Sequence, residues 1–187
     1  MSKKKIIISS SDNKYFLLIK ELHLSLKNNG ILDEYDFAVL DTGLDLKQKN
    51  YFKDHNVLIK SAKWNVEVPK YKILGRENLK TQVARAFLPD YFNSYKLYIW
   101  LDADMWVNDI ESFYFYEKGA LNNKLTIVPQ SDRAYIKNAN VEWFFGFPKK
   151  IKTINYKNIS KSISKSLGRK YAFHSTLNAG AFAINDN

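Results

Sequence analysis

Apolar residues along this chain fall into short runs divided by polar loops, and the spacing inside each run predicts its element. Lys5 to Ser10 (KIIISS) is an uninterrupted β-branched run, which predicts a buried strand. Polar residues Ser9 to Asn13 follow as a loop. From Tyr15 to Asn28 the apolar positions Phe16, Ile19, Leu22 and Leu26 recur at helical spacing, with Gly30 as a stop. Asp36 to Leu40 reads as a second strand, Leu46 to His55 as a helix and Asn56 to Lys60 as a third strand. Lys63 to Arg76 shows no period. Asn78 to Phe92 predicts one helix with Pro89 near its end, and Lys96 to Leu101 (KLYIWL) a strand. Asn108 and Glu111 fit a capping box that opens a helix over Asp109 to Lys118. Leu125 to Pro129 and Ala181 to Ile184 read as strands, and Asn158 to Leu167 as a helix; the rest of the stretch from Asp132 to Gly168 has no legible period.

Strands alternating with helices imply an α/β fold whose central sheet is mainly parallel, with helices on both faces. Such sheets bind ligands beyond the carboxyl ends of their strands. Ser11 to Asn13, Asp41 and the pair Asp102 and Asp104 all stand at such ends, so one crevice is expected to gather them.

Composition narrows the class. With 187 residues, 45% of them hydrophobic and 15% aromatic, the chain suits one domain with a sizeable core. It has no cysteine, which excludes disulfides, thiolate metal sites and a Cys nucleophile. The basic start MSKKKIIISS lacks a secretory apolar core, and no run approaches the roughly 20 residues that span a bilayer; the expectation is a cytoplasmic protein. Its net charge of +10 favours anionic partners. Two lysine clusters exceed the background: Lys3 to Lys5, and Lys149, Lys150, Lys152, Lys157, Lys161 and Lys165. The second suggests peripheral contact with an anionic membrane. A basic nucleic-acid-binding domain is a competing reading, but no nucleic-acid motif is present.

The stretch YIWLDADMWVND, Tyr98 to Asp109, carries the sharpest chemistry. An apolar approach delivers two carboxylates one residue apart, and buried like charges are costly unless a cation meets them. In extended chain, positions two apart share a side, so Asp102 and Asp104 can converge on one ion, with Ala103 small enough for close ligand approach. Carboxylates select hard divalent cations, Mg²⁺ or Mn²⁺, and leave positions for diphosphate oxygens. Phosphatases of the haloacid dehalogenase type also space two aspartates this way, but after their first strand and with Thr or Val where Trp106 stands here.

Four segments resemble glycosyltransferases of the GT-A type, and among them family 8 and its bacterial relatives: SSSDNKY (Ser9 to Tyr15), VLDTGL (Val39 to Leu44), TQVARAFLPDYF leading into YIWLDADMWV (Thr81 to Val107), and LNAGAFAIN (Leu177 to Asn185). The resemblance implies a GT-A, Rossmann-like fold and transfer of a sugar from a nucleotide diphosphate, such as a UDP-sugar, to a glycan or lipid-linked acceptor of the polysaccharide or lipopolysaccharide kind, with retention at the anomeric carbon. It implies a metal on Asp102 and Asp104. Asp102, Arg85 and Asn178 would serve at the donor sugar. Ser11, Asp12, Asn13 and Tyr15 would face the nucleotide base, and Ala103, Asn178, Ala179 and Gly180 would line the donor. A nucleotide-sugar-binding module without chemistry is the alternative.

The same resemblance divides the chain into a nucleotide-binding half, 1–110, and the start of an acceptor-side half, 111–187. The family's third metal ligand, a His downstream of Asn-Ala-Gly, has no counterpart up to Asn187, and His23, His55 and His174 all precede it. The expectation is therefore a catalytic domain incomplete at its C-terminus, less stable than a complete enzyme, weak in transfer, and with apolar surface exposed along AGAFAIND.

Overall fold

The computed structural model describes residues 5–121, 124–130 and 139–185. Lys3 and Lys4 of the first lysine cluster, and the side chain of Lys152 in the second, lie outside what is described. The elements in chain order are β1 (Lys5–Asp12), α1 (Phe16–Asn28), β2 (Asp36–Gly43), α2 (Leu46–Asp54), β3 (Leu58–Ser61), α3 (Lys70–Ile73), α4 (Lys80–Ala84), α5 (Leu88–Tyr91), β4 (Leu97–Leu101), α6 (Ile110–Ala120), β5 (Leu125–Pro129), β6 (Ala139–Phe144), β7 (Phe147–Thr153), α7 (Ile154–Ser162), α8 (Lys165–Lys170) and β8 (Leu177–Asn185). They form two compact units, Met1–Ile127 with Gly180–Asn187, and Val128–Ala179. Among the described residues no helix is long and apolar enough to cross a membrane.

The first unit is built on a six-stranded sheet of order β3-β2-β1-β4-β8-β5. β1 runs parallel to both β2 and β4, and β2 parallel to β3, whereas β8 is antiparallel to β4. Because alternate side chains point to opposite faces, the continuous run Ile6, Ile7, Ile8 supplies both. Ile7, Val39 and Ile99 meet Leu22 and Leu26 of α1, Phe52 of α2 and Phe113 of α6 on one face. Ile6, Ile8, Tyr98 and Trp100 meet Ala84, Leu88 and Tyr91 on the other. This two-faced cover is what the uninterrupted apolar strands required.

The structure departs from several of the expected elements. The helix expected over Asn78 to Phe92 is broken at residues 85–87 into α4 and α5, since Pro89 cannot donate to the carbonyl of Arg85 and its ring crowds that turn. α6 is capped by Asp109, whose Oδ1 accepts the Ser112 N–H at 2.8 Å, and not by Asn108. The helix expected over Asn158 to Leu167 is two helices, because Ser164 turns extended and caps α8 through the Leu167 N–H. The closing strand does not leave its apolar residues exposed: Ala181, Phe182 and Ala183 are buried, since β8 lies between β4 and β5 and Phe182 stacks on Trp100 with ring centroids 6.4 Å apart.

The second unit contains the antiparallel hairpin β6–β7 and the helices α7 and α8. Thr153 ends β7 and caps α7 by accepting the Tyr156 N–H at 3.0 Å. The hairpin fell in the stretch without legible period.

Candidate active site

The chain leaves β1 for β2 and β3 on one side, then returns to place β4 on the other side of β1. That order puts a topological switch between β1 and β4, where open α/β sheets hold their ligands. A cavity of about 230 Å³ opens at this place, within the first unit. Ser10, Ser11 and Asp12 reach it from the end of β1, Thr42 from the end of β2, and Asp102, Ala103 and Asp104 from the end of β4. Tyr15, Asn78, Thr81, Gln82 and Arg85 complete the wall.

The two acids are not in extended chain. Asp102 to Met105 forms a turn closed by the Met105 N–H on the Asp102 carbonyl at 3.0 Å, yet both carboxylates line the cavity. The turn is anchored from behind by the Asp102 N–H, which donates to the Gly180 carbonyl at 2.7 Å. Trp100, fully buried, donates its indole N–H to Asp102 Oδ1 at 2.7 Å. Arg85 stands 3.5 Å from the same oxygen. Both contacts fall on Oδ1, so Oδ2 has no protein partner among the described residues. Asp104 is exposed and has no hydrogen-bond or ion-pair partner among them.

Burial pushes the Asp102 carboxyl above the ordinary carboxylate range; the Trp100 N–H and Arg85 oppose this, and Asp104 adds to it. Burial likewise lowers Arg85, against the pull of Asp102. Two carboxylates with uncommitted oxygens on one cavity wall fit a hard divalent cation, such as Mg²⁺ or Mn²⁺, as two of its several oxygen ligands. Among the described residues no group of three His, Cys, Asp or Glu gathers as a metal cluster. On that cavity wall, Asp102 and Asp104 are the two carboxylates that could hold such an ion.

The first loop divides by role. Asp12 Oδ1 accepts the N–H groups of Lys14 (2.9 Å) and Tyr15 (3.1 Å), which folds the loop tightly at the head of α1. That turn leaves Tyr15 half exposed on the cavity wall and off the core face of the helix. Asn13 points elsewhere: its Oδ1 accepts from Gln48 Nε2 at 2.6 Å, and its N–H donates to the Gly43 carbonyl. A side chain tied to α2 supports the loop and does not line the cavity. Asp41 is also withdrawn. Its Oδ1 accepts from the Gly43 and Leu44 N–H groups, and its Oδ2 pairs with Lys49 at 2.8 Å. Burial disfavours its charge, but these bonds outweigh burial and hold it below the usual carboxylate range. Its neighbour Thr42, which the sequence did not single out, lines the cavity instead. Asn178 and Ala179 are exposed at the start of β8 and belong to the second unit, while Gly180 begins the part of β8 in the first.

Sequence reasoning missed Asn78, Thr81 and Gln82. With Arg85 they recur at i, i+3, i+4 and i+7, a polar stripe on one helical face that could have revealed them. Thr81 is held by the Ser10 hydroxyl at 2.6 Å, which joins α4 to the end of β1.

No family model and no curated relative matches this chain. Solved structures do. The chain resembles the galactosyltransferase LgtC, solved as an active-site mutant (TM-score 0.61, 17% identity, covering 96% of this chain and 57% of that one). It also resembles the bifunctional glycosyltransferase WbbM (0.59, 16%, 99% and 32%) and the mannosyltransferase Ktr4p from S. cerevisiae (0.51, 11%, 98% and 56%). The chain thus spans a little over half the length of LgtC. LgtC has also been solved in complex with donor and acceptor sugar analogs. The fold is that of the GT-A nucleotide-diphospho-sugar transferases.

Proposed function

We propose that this chain is the donor-binding part of a metal-dependent glycosyltransferase, taking a sugar from a nucleotide diphosphate, UDP in the first instance, and passing it with retention to a glycan or lipid-linked acceptor of a surface polysaccharide. The observation that carries this reading is the convergence of Asp102, Asp104, Arg85 and Tyr15 on one cavity at the sheet's switch point.

Asp102 and Asp104 would hold the divalent ion. When bound, it neutralises the charge that develops on the departing diphosphate. Trp100 and Arg85 fix the orientation of Asp102 by holding one of its oxygens, leaving the other to the cavity. The half-exposed ring of Tyr15 offers a face for a nucleobase to stack on. Thr42, Asn78, Thr81 and Gln82 offer neutral donors and acceptors of the kind that hydroxyls of a ribose or sugar use.

The test is a titration of Mn²⁺ and UDP into the protein, followed by calorimetry and tryptophan emission, with Trp100 as the reporter beside Asp102. The expected result is UDP binding that requires Mn²⁺ and disappears in Asp104→Ala. Metal-independent UDP binding, or none, overturns the reading. Intact binding without sugar transfer or hydrolysis would leave a nucleotide-sugar-binding module in its place.

A further inference from the structure

Thr153, at the end of β7, is buried, but toward its tip the hairpin β6–β7 is uncovered. Every residue of the stretch 140–150 is exposed. Among them are Trp143 (65%), Phe144 (58%), Phe145 (86%) and Phe147 (76%). A two-stranded hairpin is marginal in water by itself, and one that turns four large aromatic side chains outward lacks the burial that would stabilise it.

The tip deepens the question. Phe144 pairs with Phe147 across a two-residue loop, Phe145–Gly146, and both loop residues take positive φ, 47° and 81°. Tight hairpins need that backbone, and Gly, Asn and Asp supply it. A bulky aromatic there is disfavoured, so Phe145 holds an unfavourable conformation while facing solvent. Just beyond the tip, Lys149 and Lys150 follow on β7, and Lys149 Nζ lies 5.4 Å from the centre of the Phe144 ring.

Charge identifies the partner. The second unit, 128–179, contains ten Lys and Arg residues and two acidic ones, which accounts for eight of the chain's ten net positive charges. Aromatic side chains next to lysines are the chemistry of a bilayer surface. Trp and Phe enter the boundary between headgroups and acyl chains, and the ammonium groups stay at the phosphates. A nucleic acid would instead stack its bases on rings set along a groove, whereas these rings crowd the end of a hairpin, with Phe144 and Phe145 edge to face at 4.6 Å.

We propose that the hairpin β6–β7 docks this chain on an anionic lipid bilayer, with the Trp143–Phe147 tip in the acyl boundary and Lys149 and Lys150 at the lipid phosphates. This does not depend on the nucleotide-sugar reading, and the two fail separately: UDP titration reports the cavity, and vesicle binding reports the hairpin.

The experiment is co-sedimentation of the full chain with vesicles of phosphatidylcholine alone and of phosphatidylcholine with phosphatidylglycerol, alongside tryptophan emission. The protein is expected to bind the anionic vesicles, with a blue shift that disappears in Trp143→Phe. The informative variant is Phe145→Asn. Asn suits positive φ, so the melting temperature should hold or rise, while vesicle affinity falls about tenfold or more, the ratio expected from withdrawing one large apolar side chain from the boundary. Phe147→Ser should repeat the loss. Three results would overturn the proposal: no binding to anionic vesicles, binding that Phe145→Asn leaves unchanged, or vesicle-independent dimers that the same variant dissociates. Displacement from the vesicles by single-stranded oligonucleotide at equal charge, together with tighter oligonucleotide binding, would assign the basic unit to nucleic acid and overturn it as well.

Discussion

The guanidinium of Arg85 lies over the indole of Trp100, with Cζ 5.1 Å from the ring centre, and both groups hold the same oxygen of Asp102. One side chain thus acts at once as packing surface for a cation and as donor to the acid that cation pairs with. The Trp100 ring is also part of the core, stacked on Phe182, so the position of Asp102 is set from inside the sheet.

Replacing Trp100 with Phe keeps an aromatic ring but removes the N–H. The hydrogen bond to a charged group is worth about 2 kcal/mol, and the smaller ring adds a packing loss of similar order. The melting temperature should fall, and Mn²⁺-dependent UDP binding should weaken more than it does in a comparably destabilised core variant on the opposite face of the sheet, such as Leu26→Ala. Equal weakening in both variants would show that Trp100 acts on the site through stability alone.

Asp104 makes no hydrogen bond or ion pair among the described residues, and its charge raises the Asp102 carboxyl. Asp104→Asn should therefore leave stability within about 0.5 kcal/mol of the parent, or raise it, while abolishing metal-dependent binding. Chemical denaturation read beside the Mn²⁺ titration separates the two effects. A large loss of stability would assign the residue a structural role.

His23 is buried in α1, stacked on Phe37, with Tyr51 and His55 beside it. Burial lowers its pKa from 6.5 to about 4, and the nearby His55 and Lys27 add to the effect. The unfolded chain binds the proton first, so the stabilisation is fully present above about pH 6.5 and is lost as pH falls toward 4. The loss is on the order of 3 kcal/mol. Urea titrations across this window should show the slope, and His23→Phe should flatten it. An unchanged slope in that variant would place the titrating group elsewhere.

Asp41 closes the turn after β2 and pairs with Lys49. Asp41→Asn should cost roughly 1–3 kcal/mol, since a buried, hydrogen-bonded carboxylate loses its charge and its ion pair with the partly exposed Lys49. Its contribution is present above the ordinary 3.8 and is lost as pH falls below it, because the folded pKa is lowered. Melting of the variant at neutral pH measures the first, and acid titration the second. UDP affinity should change less than in Asp104→Asn, as Asp41 does not line the cavity.

Strands β1 and β4 were readable because a strand covered on both faces has no polar alternation to blur it, and KIIISS and LYIWL show none. The acids were readable for the same reason, since solvated loops rarely have apolar flanks. The stripe of Asn78, Thr81 and Gln82 was not, because polar residues on a helix ordinarily mean solvent and nothing local marks a cavity. Asn13 and Asp41 misled in the opposite way. Each stands at a strand end, but each is consumed by a partner distant in sequence or by its own turn, and only the tertiary structure supplies Gln48 and Lys49. The hairpin was illegible because the large apolar residues near its tip, Trp143 to Phe147, are exposed, so no core imposed either period on them.

The bond from the Asp102 N–H to the Gly180 carbonyl continues the β4–β8 ladder, in which Leu101 faces Ala181 and Trp100 faces Phe182. Adding or deleting a single residue in β8 would turn Phe182 to the opposite side of the sheet, strand Trp100 without its stacking partner and shift the anchor of the acidic turn together. Homologous chains should therefore vary in length between elements, in the stretch after β3 above all, and keep a fixed count from Gly180 to Ala183.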